Sequence, residues 1–296
     1  ALWDINGKAL GKPVYELLGG QIHDRLRTYT YLNAASDGDQ KAVHNDPDSA
    51  AERALEYIAQ GFTALKFDPA RPYTAFDPRQ LSMETLGFAE RYTARLREAV
   101  GDRCDLLIGT HGEMTPSGAI RLATRLEPYD PLWFEEPTPP DNIPGMARVA
   151  QNTKIPVSTG ERLTTKYEFA DLLRNDAAAI LQMNLGRVGG LLEAKKIAGM
   201  AEAFHAQIAP HLFCGPIVGA ANLQLCACSP NFLIMEGIEQ WGGFHAEILK
   251  SPIIWEDGYV IPPTAPGIGV ELNEAVAEAN PYTGDRLQLR MADTPA

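Results

Sequence analysis

The chain has 296 residues, 45% of them hydrophobic and 22% charged, the proportions of an ordinary soluble globular protein. That length suits one large α/β barrel or two smaller domains, and a core of this size folds without staples. The formal net charge of −12 argues against nucleic acid and against an anionic membrane surface as partners, because both are polyanionic.

The cysteines Cys104, Cys214, Cys226 and Cys228 fit no zinc-ribbon spacing and are expected to be buried reduced thiols of a cytoplasmic protein. No apolar run is long enough to span a bilayer, so no membrane partner is expected. The chain opens Ala1-Leu2-Trp3-Asp4 and not at a methionine, so an N-terminal portion is expected to precede it.

Short apolar strands alternate with amphipathic helices along the whole chain. The first strand is expected at Leu26–Leu32, followed by a polar, Asp-rich loop over Ala34–Asp48 and a helix at Ser49–Ala59. Next come a strand at Ala64–Asp68, a proline-rich loop over Pro69–Ser82 and a helix at Met83–Val100. Strands then follow at Asp105–His111, Trp133–Pro137, Val157–Glu161, Ala179–Asn184, Ala206–His211 and Leu233–Glu236. Helices are expected between them at Ser117–Leu126, Lys166–Leu173 and Leu191–Ala203. Repeated β-then-α units argue for parallel strands, and most economically for a (β/α)8 barrel. An open doubly wound sheet is the weaker alternative, since no Gly-rich phosphate turn follows the first strand. Gly186-Arg187-Val188-Gly189-Gly190 follows a late strand and reads as a tight turn into a helix. Both long loops follow strand C-termini, the face on which barrel enzymes build their sites.

The strand ends carry the chemistry. In order they present Lys66 and Asp68, His111, Glu135 and Glu136, Glu161, Asn184, His211 and Glu236. Ionisable residues inside apolar strands are costly unless paired, hydrogen-bonded or on a metal. A barrel gathers such ends around one pocket, where crowded carboxylates repel unless a cation neutralises them. Carboxylate oxygens suit Mg²⁺ or Mn²⁺, so the acids read as metal ligands and the lysine and histidines as acid–base groups. The purely structural alternative is a buried ion-pair network, for example Lys66 with Asp68 and Glu136. His205, Glu113 and Glu168 lie off this ring and read as surface, loop and helix-face residues.

At these residues the chain resembles the enolase superfamily, in its mandelate racemase and sugar-acid dehydratase branch. The resemblance runs from Ala1–Lys8 and Leu17-Leu18-Gly19-Gly20 through Gly61-Phe62…Lys66, Trp133-Phe134-Glu135-Glu136-Pro137 and Gly160-Glu161. It closes with Gly189-Gly190, Pro210-His211 and Pro266-Gly267-Ile268-Gly269-Val270. It implies an α/β fold, a modified (β/α)8 TIM-like barrel with the remnant of an α+β capping domain. Residues 1–22 would end that capping domain, 23–240 would form the barrel, and 241–296 would return to the cap.

The resemblance also implies the reaction: a base removes the proton α to a carboxylate, and Mg²⁺ (or Mn²⁺) holds the resulting enediolate. Glu135 and Glu161 match the second and third metal ligands. The first falls at Gly109, which has no side chain, and Asp68, His111 or Glu136 is expected to fill the gap. Lys66 matches the first lysine of a K-x-K pattern whose second lysine is Asp68 here. His211 matches the seventh-strand base, its usual orienting Asp is Asn184, and Glu236 matches an eighth-strand acid that contacts substrate. Asn184 still offers an amide oxygen to His211 but supports an imidazolium less than Asp would, so His211 is expected to serve better as the acid.

The expected function is dehydration of a sugar acid to a 2-keto-3-deoxy acid, with His211, His111 and Lys66 as the acid–base set. Racemisation, epimerisation or cycloisomerisation through the same intermediate is one alternative, and a catalytically degenerate barrel kept for binding is another. A small-molecule carboxylate is the expected partner, in a homo-oligomer as relatives form.

Overall fold

The structure is a computed structural model that describes residues 1–36, 38–70 and 78–281. Eight strands each lead into helix: β1 (Leu26–Tyr31), β2 (Ala64–Phe67), β3 (Asp105–Gly109) and β4 (Trp133–Glu135), then β5 (Val157–Thr159), β6 (Ile180–Leu181), β7 (Gln207–Ile208) and β8 (Met235–Glu236). The helices after them are α3 (Gln40–Asn45) with α4 (Pro47–Ala59), α5 (Met83–Val100), α6 (Pro116–Leu126), α7 (Ile143–Ala150), α8 (Lys166–Arg174), α9 (Leu191–Ala203), α10 (Pro216–Ala227) and α11 (Phe244–Glu247). Before β1 lie α1 (Leu2–Leu10) and α2 (Val14–Leu17); after α11 come β9 (Trp255–Glu256), β10 (Tyr259–Val260) and α12 (Glu274–Ala279).

Local sequence explains where these elements start. Asp46, Ser82, Thr115 and Asn142 cap α4, α5, α6 and α7, each side-chain oxygen accepting from a backbone N–H of the first turn. Proline occupies the first helical turn of α4, α6, α7 and α10, where its missing N–H costs nothing. Asp257 and Gly258, both at positive φ, close the β9–β10 hairpin in the manner of a type I′ turn.

The strands are shorter than the sequence suggests. β6 ends at Leu181, and beyond it Asn184 turns its side-chain oxygen onto the Gly186 N–H, 2.8 Å away, as the chain enters a turn. After β7, Pro210 has no N–H for a ladder. Glu136 and His111 adopt positive φ, so β4 and β3 end before them. The stretch Ala34–Asp48 is not the loop expected, since it holds α3 and the first residues of α4. Its cues were local: Asp39 caps α3, and Asp46 with Pro47 opens α4. The proline-rich stretch Pro69–Ser82 lies partly outside the described residues.

The chain divides into two compact units. One comprises residues 29–160 and 171–180. Here β1 pairs with β2, β2 with β3, β3 with β4 and β4 with β5, all in parallel. Helices α4, α5 and α6 supply its apolar faces, with Ala54, Tyr57, Leu86, Leu96 and Leu122 buried. The other unit comprises the described residues of 1–28, 161–170 and 181–289. Its core joins Leu26, Leu212, Leu223, Met235, Trp241 and Val260. No helix among the described residues is long and apolar enough to cross a membrane.

Close packing in this second core makes one glycine decisive. A Cβ on Gly219 of α10 would lie 2.4 Å from Cη2 of the buried Trp241. Ala normally stabilises a helix interior by about 1 kcal/mol over Gly, whereas overpacking costs about 1–3 kcal/mol. Gly219→Ala is therefore expected to destabilise, lowering the denaturant midpoint at unchanged m-value; an unchanged or raised midpoint would show that the indole yields freely.

Candidate active site

Strand alternation and register assemble the first cluster. Tyr31 sits beside Lys66 across β1–β2, and Gly109 beside Glu135 across β3–β4. Lys66 also pairs in register with Leu107, two residues before Gly109, so Tyr29, Tyr31, Lys66, Gly109 and Glu135 all share one face of the sheet. On that face the Lys66 ammonium donates to the Glu135 carboxylate, with both side chains buried. The ammonium also lies 4.8 Å from the Tyr31 ring centroid and 5.7 Å from that of Tyr29, over faces that attract a cation. The ion pair that the structure shows for Lys66 is with Glu135.

Beyond the strand ends the same unit holds a histidine. His111 Nε2 is 3.3 Å from the Tyr31 hydroxyl, and its Nδ1 is 3.8 Å from Asp68 Oδ2. Its direction comes from a left-handed turn and not from strand alternation, since φ is +50°. Hydrogen bonds tie that turn to the end of β4: Thr110 Oγ1 donates to the carbonyls of Glu135 (2.8 Å) and Glu136 (3.1 Å), and Gly112 N–H donates to Glu136 (2.6 Å). Asp68 also accepts from the Ala70 N–H at 2.9 Å. Glu136 is fully buried, and the Thr159 hydroxyl donates toward its carboxylate at 3.5 Å. Glu113 is not the loop charge expected, since it is buried with 1% of its surface exposed.

The second cluster lies in the other unit. His211 Nε2 is 3.4 Å from Glu161 Oε2 and 3.9 Å from Glu236 Oε2. Glu236 is itself fixed by accepting the Leu212 N–H at 2.6 Å. On the far side of the ring, His211 Nδ1 is 2.9 Å from Asn184 Nδ2. The Gly186 N–H requires an oxygen, so the amide oxygen of Asn184 goes there and its NH₂ faces the imidazole. The expected contact of the amide oxygen with His211 is thus replaced by its nitrogen. Facing a donor, Nδ1 must be an acceptor, which leaves the ring proton on Nε2, toward the two carboxylates.

Other titratable groups are structural. Burial pushes the Cys226 thiol well above its ordinary range and raises that of Cys228; all four cysteines are free. Burial tends to raise the Glu168 carboxyl, but hydrogen bonds from Thr164 and Thr165 outweigh it and lower the pKa, so Glu168 serves the start of α8. His205 is exposed just past α9.

A family model described as enolase C-terminal domain-like matches residues 49–276. The chain belongs to that family. Within it the mandelate racemase and muconate lactonizing enzyme branch is the nearest setting. A structure from Labrenzia alexandrii DFL-11 ascribed to that group is 61% identical, with a TM-score of 0.94 over 98% of this chain and 74% of that one. The fold class is accordingly the α/β, parallel-sheet fold of that branch. Among curated relatives, D-gluconate dehydratase of Thermoproteus tenax is 34% identical over 100% of this chain. D-galactonate dehydratase of Ralstonia nicotianae is 38% identical over 93% of it. The chain spans 57% of the first relative's length and 70% of the second's.

Enolase-superfamily members use Mg²⁺. Among the described residues no three His, Cys, Asp or Glu side chains come together as a metal-holding group. Position 109 has no side chain, and the carboxylate beside it, Glu135, already holds an ammonium. Asp68 approaches His111, Glu136 accepts from Thr159, and Glu161 lies with Glu236 at His211. At Glu135 the donor set is one carboxylate beside an ammonium, which does not fit a divalent ion.

Two outcomes follow from these clusters. Asn184→Asp replaces the facing NH₂ by a carboxylate oxygen and is expected to move the His211 proton to Nδ1, visible in ring ¹⁵N shifts; an unchanged tautomer would mean that Asn184 does not set it. Lys66→Met removes the ammonium from a buried carboxylate and should cost about 3–5 kcal/mol of stability in denaturant unfolding. A loss below about 1 kcal/mol would show that Glu135 is not held by this pair.

Proposed function

We propose that the protein dehydrates a sugar acid, removing the proton α to the carboxylate and the β-hydroxyl as water to leave a 2-keto-3-deoxy acid. The observation that carries this reading is the His211 cluster: an imidazole whose Nε2–H is held between Glu161 and Glu236 while Asn184 fixes the opposite nitrogen. The substrate class is supported by the 34% and 38% identity to a D-gluconate and a D-galactonate dehydratase.

Such a reaction moves two protons, one off the α-carbon and one onto the departing hydroxyl. Each histidine is assigned a role by its own surroundings. His111 has Asp68 toward Nδ1, an anion that favours the imidazolium formed when Nε2 takes a proton, so His111 serves as the base. Around His211 the Nε2–H faces Glu161 and Glu236, and a proton carried by one of these two carboxyls is delivered to the leaving oxygen, with the imidazole orienting them. Lys66, buried against Glu135, acts on the arrangement of the strand ends and not on the substrate itself.

Screening sugar acids for keto-acid release tests the reading directly. His211→Asn is expected to lower kcat by about 10²–10⁴-fold with an unaltered circular dichroism spectrum. Full activity in that variant would remove His211 from the mechanism. Exchange of the substrate α-hydrogen with solvent deuterium, without keto-acid release from any sugar acid, would instead identify an isomerase.

A further inference from the structure

We infer that Lys66 is this protein's own built-in cation at Glu135, occupying in permanent form the role that a divalent ion fills elsewhere in the family. Three independent features of the strand-end face support it. The ammonium donates to Glu135 with both side chains buried, so the carboxylate's charge is neutralised from within the chain. Gly109 makes the room: a Cβ there would lie 2.9 Å from Lys66 Cε and 3.5 Å from Cγ, so a side chain at 109 would require the lysine stem to shift. Tyr29 and Tyr31 present ring faces to the same ammonium, a surrounding that suits a monovalent organic cation.

The consequences are specific. A divalent ion placed on Glu135 would stand beside a fixed positive charge with no escape to solvent, since Lys66 is fully buried. Glycine at 109 and lysine at 66 are thus two halves of one arrangement. The carboxylate keeps its position and its neutral surroundings whatever the metal concentration. This inference concerns cation binding alone, so it stands or falls separately from the sugar-acid reading.

Manganese uptake tests it without reference to turnover, because bound Mn²⁺ loses the sharp electron paramagnetic resonance lines of the free ion. In salt high enough to screen the acidic surface, the wild-type protein with equimolar Mn²⁺ is expected to leave the free-ion signal undiminished. The double variant Lys66→Met/Gly109→Asp removes the ammonium and supplies a carboxylate, and should bind Mn²⁺ at least about tenfold tighter than wild type. Stoichiometric Mn²⁺ uptake by the wild-type protein overturns the inference, as does a folded double variant that binds no better. Should the double variant fail to fold, the wild-type titration decides alone.

Discussion

Burying an ammonium and a carboxylate side by side is the constraint on which the strand-end face of β1 to β4 depends. Each ion gives up several kcal/mol of hydration, and only close pairing with further favourable contacts returns it. Lys66 meets that condition with Glu135 on one side and two tyrosine faces on the other. Neighbouring choices follow from it. A side chain at position 109 would crowd the lysine stem, its Cβ 2.9 Å from Lys66 Cε. Tyr29 is held in turn by an edge-on contact with Trp133, ring centroids 5.2 Å apart, which lies in register with Leu107 on the same face. A second cation near the ammonium would meet repulsion of about 4 kcal/mol per unit charge at 4 Å, taking an effective dielectric of 20.

His111 and His211 are held in a different way, by backbone groups at the ends of short strands. His111 and Glu136 sit at positive φ, a conformation that costs non-glycine residues and persists where surroundings over-determine it. Here the surroundings are the Thr110 hydroxyl and the Gly112 N–H, both bonded to the end of β4. Around His211 the same principle uses the Leu212 N–H on Glu236 and the Gly186 N–H on Asn184. Two backbone donors, neither of them part of the chemistry, thus decide where a carboxylate points and which nitrogen of an imidazole carries the proton.

Much of this was legible in the sequence, and what was not has a physical reason. The alternation of apolar strands and amphipathic helices revealed the parallel α/β plan, and polar residues at strand ends singled out Lys66, Glu135 and His211. The strands read longer in the sequence because apolar residues beyond β6 and β7 continue the pattern after the strands have ended at Leu181 and Ile208. The linear pattern does not single out Glu135 as a Lys66 partner, because Asp68 and Glu136 are as close there. Only the register of β2 against β3 and of β3 against β4 puts Glu135, and not its neighbour, on the lysine's face. The orientation of the Asn184 amide turns on a single N–H two residues later, which no spacing rule anticipates.

That register also changes how the departures from the family pattern should be weighed. Taken one at a time, Gly109, Asp68 and Asn184 look like separate losses from one site, the signature of decay. Gly109 is instead matched to Lys66, whose stem fills the space where a Cβ at 109 would lie. Asp68 lies against His111 Nδ1, where a lysine would repel an imidazolium. Asn184 holds its ring nitrogen as an acceptor and leaves the proton facing two acids. Random loss would leave buried charges without partners, at a cost of several kcal/mol each. Each departure here carries its own compensation within contact distance, which is the mark of a rearranged site and not of an abandoned one.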